Sequence, residues 1–377
     1  MAGGSRAVAV AIISATIAVA CGGGSTAAPS VPSPTTAALA FTPALQAVVD
    51  AAKKEGQLDL VWPGGILEGP TELPPQMAGF KKMYGLGDGF KVTFTPGPQM
   101  PDMAARVVQE VQAKQKASTD VFLGTETHFT ALRDGNALEK VDWLSFARNI
   151  KDPAIVAPNG IGVQVQSTVV SFTYNTNKIK GDMIPKTLAE LADPKYKGLI
   201  ATTSYGAKLD RIASPQIWGE AKTLAWVTAF KKNVAGFINC GEEERVASGE
   251  FAIFAWDCGT FGATRLAAKG APLAFTIPSD TPIVTYYYEG VPANAAHPNA
   301  AKLWVDYMIS REAQDLMYAA ELADHTKLPG SKGAAEMRSF LDKGIKFTDV
   351  DIQFVDRDAA NKVPSSRGKI LGILTAK

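Results

Sequence analysis

The chain has 377 residues, with 38 basic side chains against 37 acidic ones, three histidines and three cysteines. A formal net charge of +1 with no basic run leaves nucleic-acid binding without an electrostatic footprint. The histidines stand far apart and neither a G-x-S-x-G elbow nor an H-E-x-x-H pair occurs, which argues against the common hydrolase and metalloprotease centres.

In chain order, Arg6 precedes the apolar run Ala7 to Ala20, which is interrupted only by Ser14 and Thr16 and ends at Cys21. The run is too short to span a bilayer, which takes about 20 apolar residues. It reads as a signal peptide over residues 1–20, and export is expected by this route. The sequence Ile17-Ala18-Val19-Ala20-Cys21-Gly22 resembles a bacterial lipoprotein lipobox, which implies lipidation of Cys21 and anchoring to the outer face of the cell membrane, on the periplasmic side or the cell surface. The plainer alternative is an ordinary cleaved signal with an incidental cysteine. Residues 21–44 are Gly, Ser, Thr, Ala and Pro with scarcely a charge, a composition that cannot offset its ordering entropy and reads as a tether. An exported protein meets neither cytosolic ATP nor reduced nicotinamide, so no cofactor is expected.

About 335 residues remain, enough for two lobes. Leu58 to Trp62 reads as a strand. Asp102 to Lys116 reads as a helix behind an Asp102 cap, with Met103, Val107 and Val111 on one face. Asp120 to Gly124 is a strand, followed by Thr125-Glu126-Thr127-His128 and another helix. Ser167 to Tyr174 is β-rich, and Leu188 to Pro194 is a short helix ended by proline. Leu199 to Ala201 is a strand, Trp218 to Asn233 an amphipathic helix, and Phe251 to Trp256 and Pro272 to Ile277 are strands. Ala300 to Ile309 carries Leu303, Trp304, Tyr307 and Met308 on one helical stripe. Strands alternating with helices predict an α/β fold with largely parallel sheets. Cys240 and Cys258, an even pair in an oxidising compartment, are expected to be bridged. No metal-ligand companion stands at suitable spacing.

Several blocks then carry a family resemblance. They are Phe172-Thr173-Tyr174-Asn175-Thr176-Asn177-Lys178, Pro185-Lys186-Thr187-Leu188, Asp193-Pro194-Lys195-Tyr196-Lys197-Gly198, Val246-Ala247-Ser248-Gly249-Glu250, Val291-Pro292-Ala293-Asn294 and Ser310-Arg311-Glu312-Ala313-Gln314. In this order the chain resembles substrate-binding proteins of bacterial ABC importers, the type II group that includes ferric-iron, phosphonate, thiamine and polyamine binders. The resemblance implies two α/β lobes, each a mixed and mostly parallel sheet flanked by helices, which close on a ligand. Lobe 1 would hold residues 45–165 with 290–377 and lobe 2 residues 166–289, with crossings near 163–172 and 284–291. It implies no catalysis, a monomer, a small-molecule or ion solute, and ABC permease and ATPase subunits as partners. An exported hydrolase, or a sensor with the same fold, are the alternatives.

The same resemblance singles out cleft loops. Trp62 with Gly64 and Gly65 ends the first strand. Thr125, Glu126 and Thr127 open a helix; Ser204 with Tyr205 and Trp256 with Asp257 follow strands of lobe 2. Tyr286 and Tyr287 lie at the return crossing, where strand alternation allows either Tyr287 or the Tyr286/Tyr288 pair to face the cleft. Core packing is the competing account of both tryptophans. His128 is as well explained as a solvent-facing residue, and His297 and His325 as surface residues. Ferric binders of the group carry paired tyrosines where this chain reads Trp256-Asp257-Cys258-Gly259, which counts against bare Fe(III) and its preference for anionic oxygen. Two ligand classes stay open: an organic cation in an aromatic and acidic box, and an anion at helix N-termini.

Overall fold

The computed structural model describes residues 41–63, 73–363 and 365–376. The signal run, Cys21, Gly64 and Gly65 lie outside the described residues. The first helix, Pro43–Glu55, starts where Thr42 accepts the Leu45 N–H through its side chain. The expected tether over 21–44 therefore overlaps this helix at its last two positions, because a threonine cap followed by proline is a strong start signal.

The first region pairs β1 (Gln57–Pro63) with β2 (Lys91–Gly97) in parallel, and a bridge from Leu60 to Val121 carries the array on to β3 (Phe122–Thr125). Alternate residues of β1 turn Leu58, Leu60 and Trp62 into a core shared with Phe80, Trp304 and Tyr307, as the two-residue period of a strand requires. The chain leaves this region along β4 (Val163–Val169) and enters the second through β5 (Ser171–Asn175), β6 (Ile200–Thr202), β7 (Val234–Phe237), β8 (Ile253–Asp257) and β9 (Leu273–Thr276). These five form one sheet in the order β7-β6-β8-β5-β9. The return strand, β10 (Ile283–Gly290), lies antiparallel beside β4 and also pairs with β3 and with β11 (Thr348–Val350).

The class is the mixed α/β fold expected, but the pairings are not mostly parallel. The pairs β1–β2, β6–β7, β6–β8 and β10–β11 run parallel, and the other four run antiparallel. The antiparallel ones all involve β4, β5 or β10, the strands that cross between regions or continue the crossing. A strand that leaves a region and another that returns to it meet head to tail.

The lobe boundaries also need a correction. Val350, Phe354, Ile370 and Leu374 pack in the second region's core with Phe172, Ile200, Trp226 and Ile253, so the C-terminal stretch does not stay with lobe 1. Ile352 packs instead with Phe122 and Phe129 of the first region, so this stretch spans both.

Local details differ where tertiary contacts override the pattern. The helix expected over 102–116 spans Met100–Gln112, with Gln99 at its cap and Asp102 in its first turn. The 300–309 stripe belongs to Pro298–Met308, which is buried on nearly every face, because it is sandwiched between helices 43–55, 73–84 and the sheet. His325 is fully buried and stacked on Tyr286, with ring centroids 5.6 Å apart. His297 is paired with Asp120 at 2.7 Å. Neither histidine is the free surface residue expected.

One buried carboxyl predicts a pH effect. Glu289 on β10 is 1% exposed and its Oε2 has no hydrogen-bond partner. Burial pushes its pKa from 4.5 up to about 8, since a charge there loses its hydration. The unfolded carboxyl ionises first, so the group costs stability progressively from pH 4.5 to 8 and constantly above that. Glu289→Gln should raise stability by a few kcal/mol at pH 9, on the order of the shift times 1.4 kcal/mol, with no gain at pH 4. Denaturant melts at the two pH values test this, and an equal change at both would refute the assignment.

Candidate functional site: a cleft between the two regions

A cleft of 680 Å³ opens between the regions. One wall is the helix Met100–Gln112, whose Met100, Ala104 and Val108 face it at four-residue spacing, together with the start of the helix Glu126–Asp134. The opposite wall comes from the loop after β6, the Cys240–Cys258 pair and the helix Phe261–Ala268. Tyr287 on β10 and Arg367 from the C-terminal helix complete it. Each end of the cleft therefore combines residues remote in sequence.

Cys240 and Cys258 are joined as a disulfide with Cα atoms 5.8 Å apart. It fastens the loop after β7 to the end of β8. Tyr205 is held against it: its hydroxyl donates to Cys240 Sγ at 2.9 Å and accepts the Cys240 N–H at 3.1 Å.

Charge in the cleft is one-sided. Among the described residues that line it, Lys208, Arg265 and Arg367 are cationic, and none is aspartate or glutamate. Lys208 adopts a left-handed backbone, φ +59°, an unfavourable conformation for a side-chain-bearing residue. Its Nζ donates to Thr285 Oγ1 at 2.6 Å and to the Cys258 carbonyl at 3.5 Å, and lies 5.8 Å from the Tyr287 ring centroid. Burial lowers the Lys208 pKa to about 8, against the opposing pull of Glu126 and Asp257. Arg367 donates to the Tyr205 carbonyl at 3.0 Å. His128 accepts the Thr125 N–H through Nδ1 at 3.1 Å, so the neutral ring carries its proton on Nε2. Burial, then the fields of Arg367, Arg211 and Lys208, pull its pKa down to about 4.

Behind this wall the regions are clasped by a buried ion pair. Arg211, in the short helix Leu209–Ile212, reaches Glu126 Oε1 at 3.1 Å and also donates to Thr127 Oγ1. Glu126 is fully buried, and its Oε2 has no partner.

The residues expected in the cleft divide clearly. Thr125, Thr127, Tyr205 and Tyr287 line it. Glu126 lies beneath it, as part of the clasp. Ser204 is exposed and off the lining. Trp62 packs on Phe94 and Trp304 at centroid distances of 5.2 and 6.3 Å, because the burial alternation of β1 carries it inward. Tyr286 points away from the cleft, where its hydroxyl donates to Asp349; strand alternation gives the cleft to Tyr287 alone.

Trp256 and Asp257 are both 1% exposed. The pairing of β5 with β8 shifts register between Ser171 and Thr173, opposite Trp256, and Trp256 has φ +59°. This bulge turns the indole into the second core rather than toward the cleft. Asp257 is consumed by Thr173 Oγ1 at 2.5 Å and by the Cys258 N–H at 2.6 Å. Burial and the neighbouring Glu243 hold its pKa well above the usual carboxylate range. Trp256→Ala should cost about 3–5 kcal/mol of stability, as for large-to-small changes in a packed core. A melting temperature within a degree of wild type would return Trp256 to the cleft.

Lys208, Arg265, Arg367, Phe261 and the second face of helix 100–112 were not anticipated. That face had a legible signal: Met100, Ala104 and Val108 make a second apolar stripe beside Met103 and Val107, more than a one-sided surface helix needs. Arg367 had none, since it reaches the cleft only because the C-terminal helix folds back.

A metal has one candidate place among the described residues, where side-chain ligand atoms of Asp59, Asp120 and His297 lie within 4.8 Å of one another. Asp120 already accepts the N–H groups of Asp59, Ala296 and His297 and the His297 ring, so the group is a cross-tie within the fold.

A solute-sized cleft walled by two α/β regions has the geometry of a binding protein. The chain belongs to the family of bacterial extracellular solute-binding proteins, whose model matches residues 118–357. It is an exported solute-binding protein and not an enzyme. An Fe(3+)-binding periplasmic protein of Serratia marcescens is 33% identical over 154 residues, 40% of this chain and 43% of that one, so the match spans less than half of the relative. Among solved structures, the substrate-binding protein of an ABC transporter from Agrobacterium tumefaciens has a TM-score of 0.65 at 18% identity, covering 88% of this chain and 98% of that one. The binding protein AgtB from A. tumefaciens R10, in complex with agropinic acid, has a TM-score of 0.61 at 17% identity, covering 85% and 99%. Likeness at such identities carries the type II binding-protein fold.

Proposed function

We propose that this protein is the lipid-anchored capture component of an ABC importer. It takes a small solute into the cleft, closes the two regions over it by hinge motion, and presents it to a permease and ATPase. The observation that carries this reading is the 680 Å³ cleft walled by both regions, with β4 and β10 side by side as the crossing strands. Bare ferric ion fits poorly. Fe(III) favours anionic oxygen ligands, yet burial raises the pKa of both lining phenols, Tyr205 and Tyr287, and no carboxylate lines the cleft among the described residues.

A thermal-shift panel on the purified protein tests capture. Ferric citrate, phosphate, polyamines, thiamine, sugars and dicarboxylates would each be added at millimolar concentration. A ligand at a hundredfold excess over Kd stabilises by about 2.7 kcal/mol. Small-angle scattering should then show compaction with the active compound. Stabilisation without compaction would count against hinge closure.

The anchor rests on Cys21, and among the described residues no helix is long and apolar enough to cross a membrane. Cys21→Ser should move the protein from the membrane fraction to the soluble one; unchanged retention would refute lipidation.

A further inference from the structure

The lining of the cleft carries two kinds of group, and their combination deepens the capture reading on which it rests. Some are cationic or hydrogen-bonding: Lys208 and Arg367, with His128 in their field and the hydroxyls of Thr125 and Tyr287. Others are apolar: Met100, Ala104, Val108, Ala131 and Phe261, beside which the same helices also bring Gln109, Gln112 and Arg265. We propose that the solute is an organic anion with an apolar body, its acid group held by Lys208 and Arg367 and its hydrocarbon laid against helix 100–112 and Phe261.

Three observations support this class. First, Lys208 has neutral partners within bonding distance, a hydroxyl and a carbonyl, and makes no ion pair among the described residues. A half-buried ammonium so placed gains most from an incoming anion. Second, the nearest carboxylates do not serve it. Glu126 is paired with Arg211, and Asp257 lies off the lining with both oxygens bonded elsewhere. Third, Met100 and Val108 of helix 100–112 are half-buried and line the cleft, while Met103, Ala104 and Val107 are buried in the fold. Inorganic phosphate would leave those apolar groups wet, and a sugar would leave Lys208 without a counter-charge, whereas Arg367 already lies 3.7 Å from Asp210. An amine would meet like charge.

The test is a titration of the purified protein with matched probes, read by calorimetry and melting temperature. 3-Phenylpropionate, octanoate and phenyl phosphate carry both an acid group and an apolar body. 3-Phenylpropionamide lacks the charge, acetate and inorganic phosphate lack the body, and 3-phenylpropylamine reverses the charge. At least one of the first three should bind tenfold or more tighter than each control, and whether phenyl phosphate or the carboxylates lead distinguishes the head group. Lys208→Met should weaken that probe tenfold or more, while Lys208→Arg stays within about threefold; their unliganded melting temperatures separate lost binding from lost folding. Equal binding of amide and acid, tighter binding of the amine, or equal binding of acetate would overturn the proposal. Spermidine, glucose and ferric citrate measured against citrate alone complete the panel. A response to one of these without any acid would sink the anion class and leave capture standing. Silence throughout would sink both.

Discussion

Replacing Arg211 with methionine should destabilise the protein by about 3–5 kcal/mol, the cost of leaving a buried charge without its partner. Glu126 is fully buried and Arg211 only 12% exposed, so water cannot take over for the lost guanidinium. In a chain of this size that corresponds to a fall of roughly 6–15 °C in melting temperature. The double variant Arg211→Met/Glu126→Met should recover part of the loss, because Glu126 no longer needs compensation while Asp210, 3.6 Å from the guanidinium, keeps only Arg367. Differential scanning calorimetry of the single and double variants decides this. A neutral single variant, or a double variant no better than the single, would mean that the pair is not the clasp between the regions. The clasp also joins the cleft's floor to its far wall, so the single variant should open more readily. Faster amide exchange at residues 125–131 would report that opening.

Lys208→Met should abolish a pH dependence that the wild type shows with the acid probes. In the free protein the Lys208 pKa is lowered to about 8 by burial, and only the protonated ammonium attracts an anion. Wild-type affinity should therefore be flat below pH 8 and fall above it, by up to tenfold per pH unit, or about 1.4 kcal/mol, until the higher pKa of the bound state is reached. The groups facing the ammonium are Glu126 from helix 126–134, Asp257 from β8, Tyr287 from β10 and Arg211 from its own helix. Tyr287 stays protonated there, since burial pushes its phenol upward, and burial with the neighbouring Glu243 shifts the Asp257 carboxyl up from its usual range. Lys208 is the lining cation whose pKa burial brings to about 8. Affinity that rises with pH, or an equal slope in Lys208→Met, would refute its role.

The strands, the alternation that buries Leu58, Leu60 and Trp62, and the helix after Thr125 were legible because periodicity and caps are local properties. Thr125, Thr127 and Tyr205 were expected at the cleft because the family pattern places ligand loops after strands, and Tyr287 because it lies at the return crossing; all four line the cleft. Trp256 was misread for a specific reason. A single shift of register against β5 reverses the face its side chain takes, and no feature of Phe254-Ala255-Trp256 by itself reveals that shift.

The α/β class, the order of elements, the export signature and the family blocks lie in the chain itself, because each depends on residues near one another. The composition of the cleft does not. Lys208, Arg265 and Arg367 are separated by up to 159 positions and converge only after the C-terminal helix packs on the second core. Whether Glu126 faces solute or Arg211, and whether the cleft receives a cation or an anion, is decided there. The sign of a binding site is a sum over neighbours, and those neighbours exist only once the chain has folded.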